Sequence, residues 1–135
     1  EQSLEQRSLF CRHPAGKTKE AWKEENKKGR MKRVEANDPV AMRELGSRYY
    51  DEWDYGSAIK YWRKAAELGD VVAHYQMSVM YWEGKGVQKK DTKKSIYHAE
   101  QAAISGHPMA RYNLGCIDMI NGRIQRAVRH QIIAA

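Results

Sequence analysis

Cys11 and His13, in the run Phe10-Cys11-Arg12-His13-Pro14, are the first residues along this chain whose types and spacing could hold a metal ion. A tetrahedral zinc site takes four such ligands, usually arriving in close pairs. No second pair is present, so no metal is expected. Four further histidines, His74, His98, His107 and His130, have no Ser, Cys or carboxylate at a fixed relation, so none has the partner that nucleophilic catalysis needs. His98 and His130 each stand four residues before an alanine pair, as Tyr61 does before Ala65-Ala66, and they read as interchangeable packing or rim residues. Asp51, Glu52 and Asp54 could form an acid/base pair. They read instead as a solvated turn with Asp54 as a helix N-cap. No glycine-rich phosphate loop or nucleophile elbow occurs, so the chain is read as non-catalytic, with no cofactor and no metal.

The cations are the next candidates. Lys85, Lys89, Lys90, Lys93 and Lys94 cluster in sequence, and Arg123, Arg126 and Arg129 recur at helical spacing with Arg111 upstream. As phosphate contacts they would give salt-dependent binding to RNA or another anionic surface. The lysines lack interleaved aromatics for base stacking, and charge runs on loops mostly solvate. The formal charge of +7 is also unevenly spread, with ten Lys/Arg against six acids in residues 1–37 and fourteen against eleven in 38–135. Even the basic end is mixed in sign. A basic RNA-associated adaptor is therefore the second alternative.

Positioning these residues is a pattern that occurs three times. A small residue leads to a leucine-like residue followed by Gly or Ser, at Ala41 to Gly46, Ala73 to Ser78 and Ala110 to Gly115, and an alanine pair follows at Ala65-Ala66, Ala102-Ala103 and Ala134-Ala135. The leucine-like residue precedes the pair by 20, 25 and 20 residues, and the return from pair to next leucine is 12 both times. Such regularity predicts an all-α chain, an α/α superhelix (solenoid) of about three helical hairpins, each burying its apolar face against its neighbours. The hairpins are expected over 38–70, 71–107 and 108–135, the last truncated. Helices are predicted near Val40 to Glu52, Tyr55 to Leu68, Val71 to Glu83, Thr92 to Ser105, Met109 to Asn121 and Arg123 to Ala135. Asp38-Pro39 supplies a cap and a first-turn proline, and Gly69-Asp70 a stop followed by a cap. Gly46, Ser78 and Gly115 should let the facing helix approach over Ala58, Ser95 and Ala127. Leu45, Tyr49 and Trp62 should fill the first crossing and Met77, Tyr81 and Ala99 the second.

Residues 1–37 read as a charged arm or linker. From Lys17 to Glu35 twelve of nineteen residues are charged, which suits either a surface helix anchored by Trp22 and Val34 or a mobile linker. Cys11 and Cys116 read as free thiols of an intracellular, reducing compartment, by default the cytoplasm and otherwise an organelle. No stretch approaches the roughly 18 apolar residues that span a bilayer. The chain stops inside a helical pattern, and the apolar end Ile132-Ile133-Ala134-Ala135 predicts that something follows or covers it.

The pattern resembles Sel-1-like repeats, variable-length relatives of the tetratricopeptide repeat, over about Asp38 to Ala135. Its most specific part is Tyr81-Trp82-Glu83-Gly84-Lys85-Gly86-Val87, which is similar to the family's Y-x-x-G-x-G-V turn and is followed by Lys90-Asp91. The five extra residues of the second repeat are this loop, with Val87 tucked beneath it. Lys32 to Ala41 and Ala110 to Ile117 also resemble arrays expanded in diatoms and related algae. There a RING-type zinc finger ending in C-P-F-C-R-x-P often precedes the repeats, and here Ser8 to Pro14 keeps that ending with Ser8 in place of the first cysteine.

The family resemblance implies a protein–protein interaction scaffold or adaptor subunit of a larger assembly. The RING-like ending implies, as the first alternative, the substrate-recruiting part of a ubiquitin ligase. Stacking on the tetratricopeptide scheme would line the concave face with Arg43, Ser47 and Tyr50, then Tyr75, Val79 and Trp82, then Tyr112, Cys116 and Met119. Four aromatics, a Met and an Arg have the composition of a protein-binding hot spot. The arm around Trp22 or a further C-terminal helix packing there instead is the competing expectation.

Overall fold

A computed structural model describes residues 18–134, and among them there are seven α-helices and no strand: α1 Lys19–Glu35, α2 Pro39–Asp51, α3 Tyr55–Glu67, α4 Val71–Glu83, α5 Thr92–Ile104, α6 Pro108–Ile120 and α7 Ile124–Ala134. The Ser8 to Pro14 run, Cys11, His13 and Ala135 lie outside the described residues. The expected helices of the array form with ends within one residue, and side-chain caps fix where α2 to α6 begin. Asp54 Oδ1 accepts from Ser57 N at 3.1 Å, Asp70 Oδ1 from Ala73 N at 2.7 Å and Asp91 Oδ1 from Lys94 N at 3.1 Å. At α6 the cap is a histidine: His107 Nδ1 accepts from Ala110 N at 3.3 Å.

Five of the six links between helices share one geometry. After α3, Gly69 takes a left-handed φ of +88°, its N–H bonds to the Ala66 carbonyl at 2.9 Å, and Asp70 N bonds to the Ala65 carbonyl at 3.0 Å. Gly106 and His107 repeat this after α5, Trp53 and Asp54 after α2, Gly122 and Arg123 after α6, and Asn37 and Asp38 after α1. Each satisfies carbonyls that the end of a helix leaves open. The link between α4 and α5 differs. Gly84 and Gly86 take φ of +73° and +67°, and a Cβ on Gly86 would sit 2.5 Å from the Tyr55 carbonyl oxygen of the preceding hairpin. Only glycine permits that approach. Val87 then packs on the core, as its place in the turn predicts.

Hairpins α2–α3, α4–α5 and α6–α7 stack in order, with α3 against α4 and α5 against α6. The core accordingly runs between hairpins. Trp62, Ala65 and Ala66 of α3 meet Ala73, Met77 and Met80 of α4, and Ala99, Ala102 and Ala103 of α5 meet Ala110 and Leu114 of α6. At the first crossing a Cβ on Gly46 would stand 2.6 Å from Trp62 Cδ1, and the indole Nε1 donates to the Arg43 carbonyl at 3.2 Å. At the second, Ser95 Oγ donates to the Ser78 carbonyl at 2.8 Å, so two buried hydroxyls do the work of Gly46 and Ala58.

Four residues beyond the leucine-like position each hairpin makes one more cross-helix contact. Tyr49 stacks on Tyr61 with ring centroids 5.6 Å apart, and Tyr81 stacks on His98 at 5.7 Å. In the third hairpin the corresponding pair is Asp118 and His130, with Asp118 only 3% exposed. Asp118 Oδ1 lies 3.0 Å from Arg123 Nε, while Oδ2 lies 3.0 Å from Arg126 Nε, in ion-pair contact without an aligned hydrogen bond, and 3.6 Å from His130 Nε2.

The charged stretch before the array forms α1, which buries none of its residues. Val34 packs on the core of the first two hairpins and Trp22 is half-buried. At the other end Ile124, Val128 and Ile132 expose a stripe along α7. Their counterparts on the earlier second helices include Ile59 and Ile96, both covered by the next hairpin.

Candidate functional site: a cleft between first helices

Two first helices of successive hairpins, α4 and α6, flank a cleft of about 330 Å³. Tyr75, Val79, Trp82 and Glu83 face it from α4, and Asn113, Cys116, Ile117 and Ile120 from α6. The buried Ser78 and Ser95 form its floor, so the small residues that let α4 and α5 approach also leave the space above them open. Its walls are mainly apolar, and Trp82 remains 43% exposed. Glu83 at the rim is paired with Lys85, Nζ to Oε2, at 2.9 Å.

The structure brings Tyr75, Val79, Trp82 and Cys116 of the expected concave face to this cleft. Tyr75 is held in place by stacking on His107, with centroids 4.4 Å apart. Tyr112 and Met119 lie on α6 outside its lining, each about half exposed. The α2 residues stand elsewhere. Arg43 Nε bonds Asp70 Oδ2 at 3.1 Å and thereby ties the first hairpin to the cap of α4. Ser47 Oγ donates to the Arg43 carbonyl, and the Tyr50 ring sits between Tyr55 and Trp62. Asn113, Ile117 and Ile120 were not anticipated. Each directly follows an expected position, at 112, 116 and 119, so the stripe on α6 is rotated by one residue. A cleft between neighbouring helices is lined by the flanks they turn to one another, and one residue along a helix is about 100° around it.

The lysines separate into two groups. Lys85 Nζ lies 5.8 and 5.5 Å from the Tyr50 and Tyr55 ring centroids, and Lys94 Nζ lies 5.4 Å from that of Tyr81. These aromatics come from other parts of the chain, so the sequence neighbourhood did not show them. Lys89, Lys90 and Lys93 are exposed. Arg123 and Arg126 are engaged by Asp118, and Arg111 Nε donates to the Ala103 carbonyl at 3.1 Å.

Behind the cleft, His74 and His98 meet with their Nδ1 atoms 2.9 Å apart, so one ring donates and the other accepts. Burial, then the charges of His74, Arg63 and Lys94, pushes His98 down to about 4. Burial also lowers His74 and His107. Among the described residues no three His, Cys, Asp or Glu side chains are grouped to hold a metal ion. No helix among them is long and apolar enough to cross a membrane.

Seven helices in stacked hairpins, with five repeated links and one glycine-bearing loop, define an α/α repeat solenoid. The Sel1 repeat family matches residues 39–70 and 71–107, and the chain belongs to that family. A Sel1 repeat protein from Oxalobacter formigenes superposes with a TM-score of 0.70 at 29% identity, over 78% of this chain and 45% of that one. HRD3B of Arabidopsis thaliana, an ERAD-associated E3 ubiquitin-protein ligase component, is 29% identical over 102 residues, 72% of this chain and 16% of its own length. HcpC of Helicobacter pylori, named provisionally as a beta-lactamase, is 36% identical over 52 residues, 38% of this chain and 18% of its own. The chain thus spans less than a fifth of either of these curated relatives. Sel1 repeats are protein–protein interaction scaffolds, and proteins built from them are generally non-catalytic.

Proposed function

We propose that this chain is a non-catalytic docking module that binds a partner protein through the cleft between α4 and α6. The observation that carries the reading is the cleft itself: an apolar space beside a half-exposed tryptophan. Buried aromatic anchors supply most of the energy of such contacts. Tyr75, Val79 and Trp82 are assigned to the contact, with Tyr112 and Met119 on its outer margin. Arg43 and Tyr50 act through the packing that holds α4 in place. Trp82→Ala is the cleanest test, because its ring is exposed enough for the fold to survive its loss. Affinity capture should recover the partner with the wild type and lose it about tenfold or more with Trp82→Ala, as loss of a hot-spot residue costs on the order of 2 kcal/mol. Equal recovery by both proteins rejects the cleft as the site.

A second reading is favoured by the similarity to HRD3B, which is a component of a ubiquitin ligase. Here the module would recruit substrates to such an enzyme. Mass spectrometry of the captured complexes decides it. Ligase subunits lost together with Trp82→Ala support recruitment, and a partner set without any of them retires it.

A further inference from the structure

Behind the cleft, the second helices α3 and α5 flank α4 and leave a hollow of about 460 Å³. Arg63 and Glu67 border it from α3, His74 and Tyr81 from α4, and Lys94 and His98 from α5. Arg63, Glu67 and Lys94 are exposed, and none of them makes an ion pair among the described residues. Burial first, then the charges of His74, Arg63 and Lys94, hold the His98 pKa down, so both cations stand near its ring. The Nδ1 atoms of His74 and His98 lie 2.9 Å apart, and whichever ring accepts there carries its own proton on Nε2. The pair thus keeps one N–H for another partner. The same positions one repeat further on show what is missing. Glu100 stands two residues before its alanine pair as Arg63 does, Asp118 four beyond Leu114 as Tyr81 is beyond Met77, and Arg126 eight before its pair as Lys94 is. There Arg126 is held by both carboxylates, Nε 3.0 Å from Asp118 Oδ2 and Nη2 3.3 Å from Glu100 Oε1. In the hollow the cation is kept as Lys94, while one acid is a tyrosine and the other a second cation. The two negative charges that the third hairpin supplies for itself are absent beside α4, and a space stands open there.

We propose that this hollow binds a phosphate monoester, its dianion bridging Arg63 and Lys94 and accepting the remaining imidazole N–H of the His74–His98 pair. A phosphoryl group brings in one ligand the two charges that Glu100 and Asp118 bring in the third hairpin, and its three terminal oxygens take donors arriving from separate helices. A lone carboxylate offers one charge and two oxygens to the same donors. Guanidinium and ammonium groups recognise phosphate, the first as a planar fork and the second as a point charge. They also repel a metal ion from the same two imidazoles. The hollow shares no lining residue with the docking cleft, so it stands independently of that reading.

The test is isothermal titration calorimetry of the whole chain at about pH 7.5, where a monoester is mainly a dianion. The ligands are glycerol 1-phosphate, a short phosphoserine peptide, and the serine and glutamate counterparts of that peptide. The proteins are the wild type, Arg63→Gln, Arg63→Glu, Lys94→Gln, Glu67→Gln and a control, Lys60→Gln, which changes an exposed lysine of α3 outside the hollow. Circular dichroism confirms that each variant is folded. Arg63→Gln and Lys94→Gln should each lose about tenfold in monoester affinity, as loss of a charge-assisted hydrogen bond gives. Arg63→Glu, which copies the acid of the third hairpin, should abolish binding. Glu67→Gln should bind more tightly, because its carboxylate repels the ligand, and Lys60→Gln should bind as the wild type does. Glycerol 1-phosphate bound as tightly as the phosphopeptide supports a site for the phosphoryl group of a small molecule, and the phosphopeptide bound alone supports a phosphorylated side chain of a partner. A glutamate peptide that binds as well as the phosphopeptide overturns the phosphate assignment. Equal losses with Lys60→Gln and Arg63→Gln reduce the effect to diffuse attraction and overturn it too, as does the absence of binding by either monoester. Trp82→Ala should leave monoester affinity unchanged, so the hollow and the docking cleft are judged separately.

Discussion

Gly46 shows how one side chain's absence shapes the first hairpin. The indole of Trp62 occupies the space a Cβ would need, and the Trp62 ring is 2% exposed, so it has little room to yield. Gly46→Ala should therefore overpack the crossing and lower stability by about 1–3 kcal/mol, measured by chemical denaturation. The smallness of position 46 was legible in the threefold pattern, because Ser78 and Gly115 recur there. That an indole faces it was not, since spacing fixes which helices cross but not which ring turns into the gap. Asp118 was hidden for a related reason. A lone carboxylate in sequence looks like a solvated acid, and only alignment with Tyr49 and Tyr81, together with Arg123, Arg126 and His130, marks it as a cross-helix contact. Replacing it by Asn should cost the third hairpin about 2 kcal/mol, the worth of its charged contacts, and speed hydrogen exchange along α7 before the rest of the chain.

Each hairpin as an element has its own way of closing, and the second should be sensitive to acid. His98 of α5 faces His74 of α4 and Arg63 of α3, and Lys94 of its own helix adds a further positive charge. Its folded value of about 4 lies below the ordinary value of 6.5, so the folded chain binds fewer protons than the unfolded one. Stability is then full above about pH 6.5 and falls as the pH drops toward 4. His98→Tyr, which copies the Tyr49–Tyr61 stack, should flatten that loss in thermal melts taken across the same range. An unchanged acid profile would locate the sensitivity elsewhere, and His74 is the next candidate because burial lowers it too. Helix boundaries were legible wherever Asp, Pro or Gly marked them. His107 escaped notice as a cap because imidazole does this less often than a carboxylate. The cleft was half legible: α4 presents the residues expected of it, whereas α6 turns its adjacent stripe inward, because the expected positions assumed a common concave axis and the observed cleft lies between two flanks.

The whole molecule, over its described residues, is a row of hairpins joined by the same pair of backbone bonds. The link before α2, with Asn37 at φ +59°, is the link before α4 and before α6, so the charged stretch of α1 enters α2 through the same joint by which α3 enters α4 and α5 enters α6, though it packs more sparsely. That relation was not legible, since Arg33-Val34 stands where the other second helices carry an alanine pair. Identical joints also make the hairpin a unit that can be copied. A second copy of residues 70–106 placed after Gly106 would meet the chain as Gly106-Asp70, reproducing Gly69-Asp70 torsion for torsion, and would end on the Gly106-His107 junction already present. Such a chain should unfold in one cooperative transition at a higher temperature than the parent, because repeat stabilities and their interfaces add. Length is thus free to change by whole hairpins in a single genetic event, and each duplication would bring with it another cleft on which a different specificity could be written.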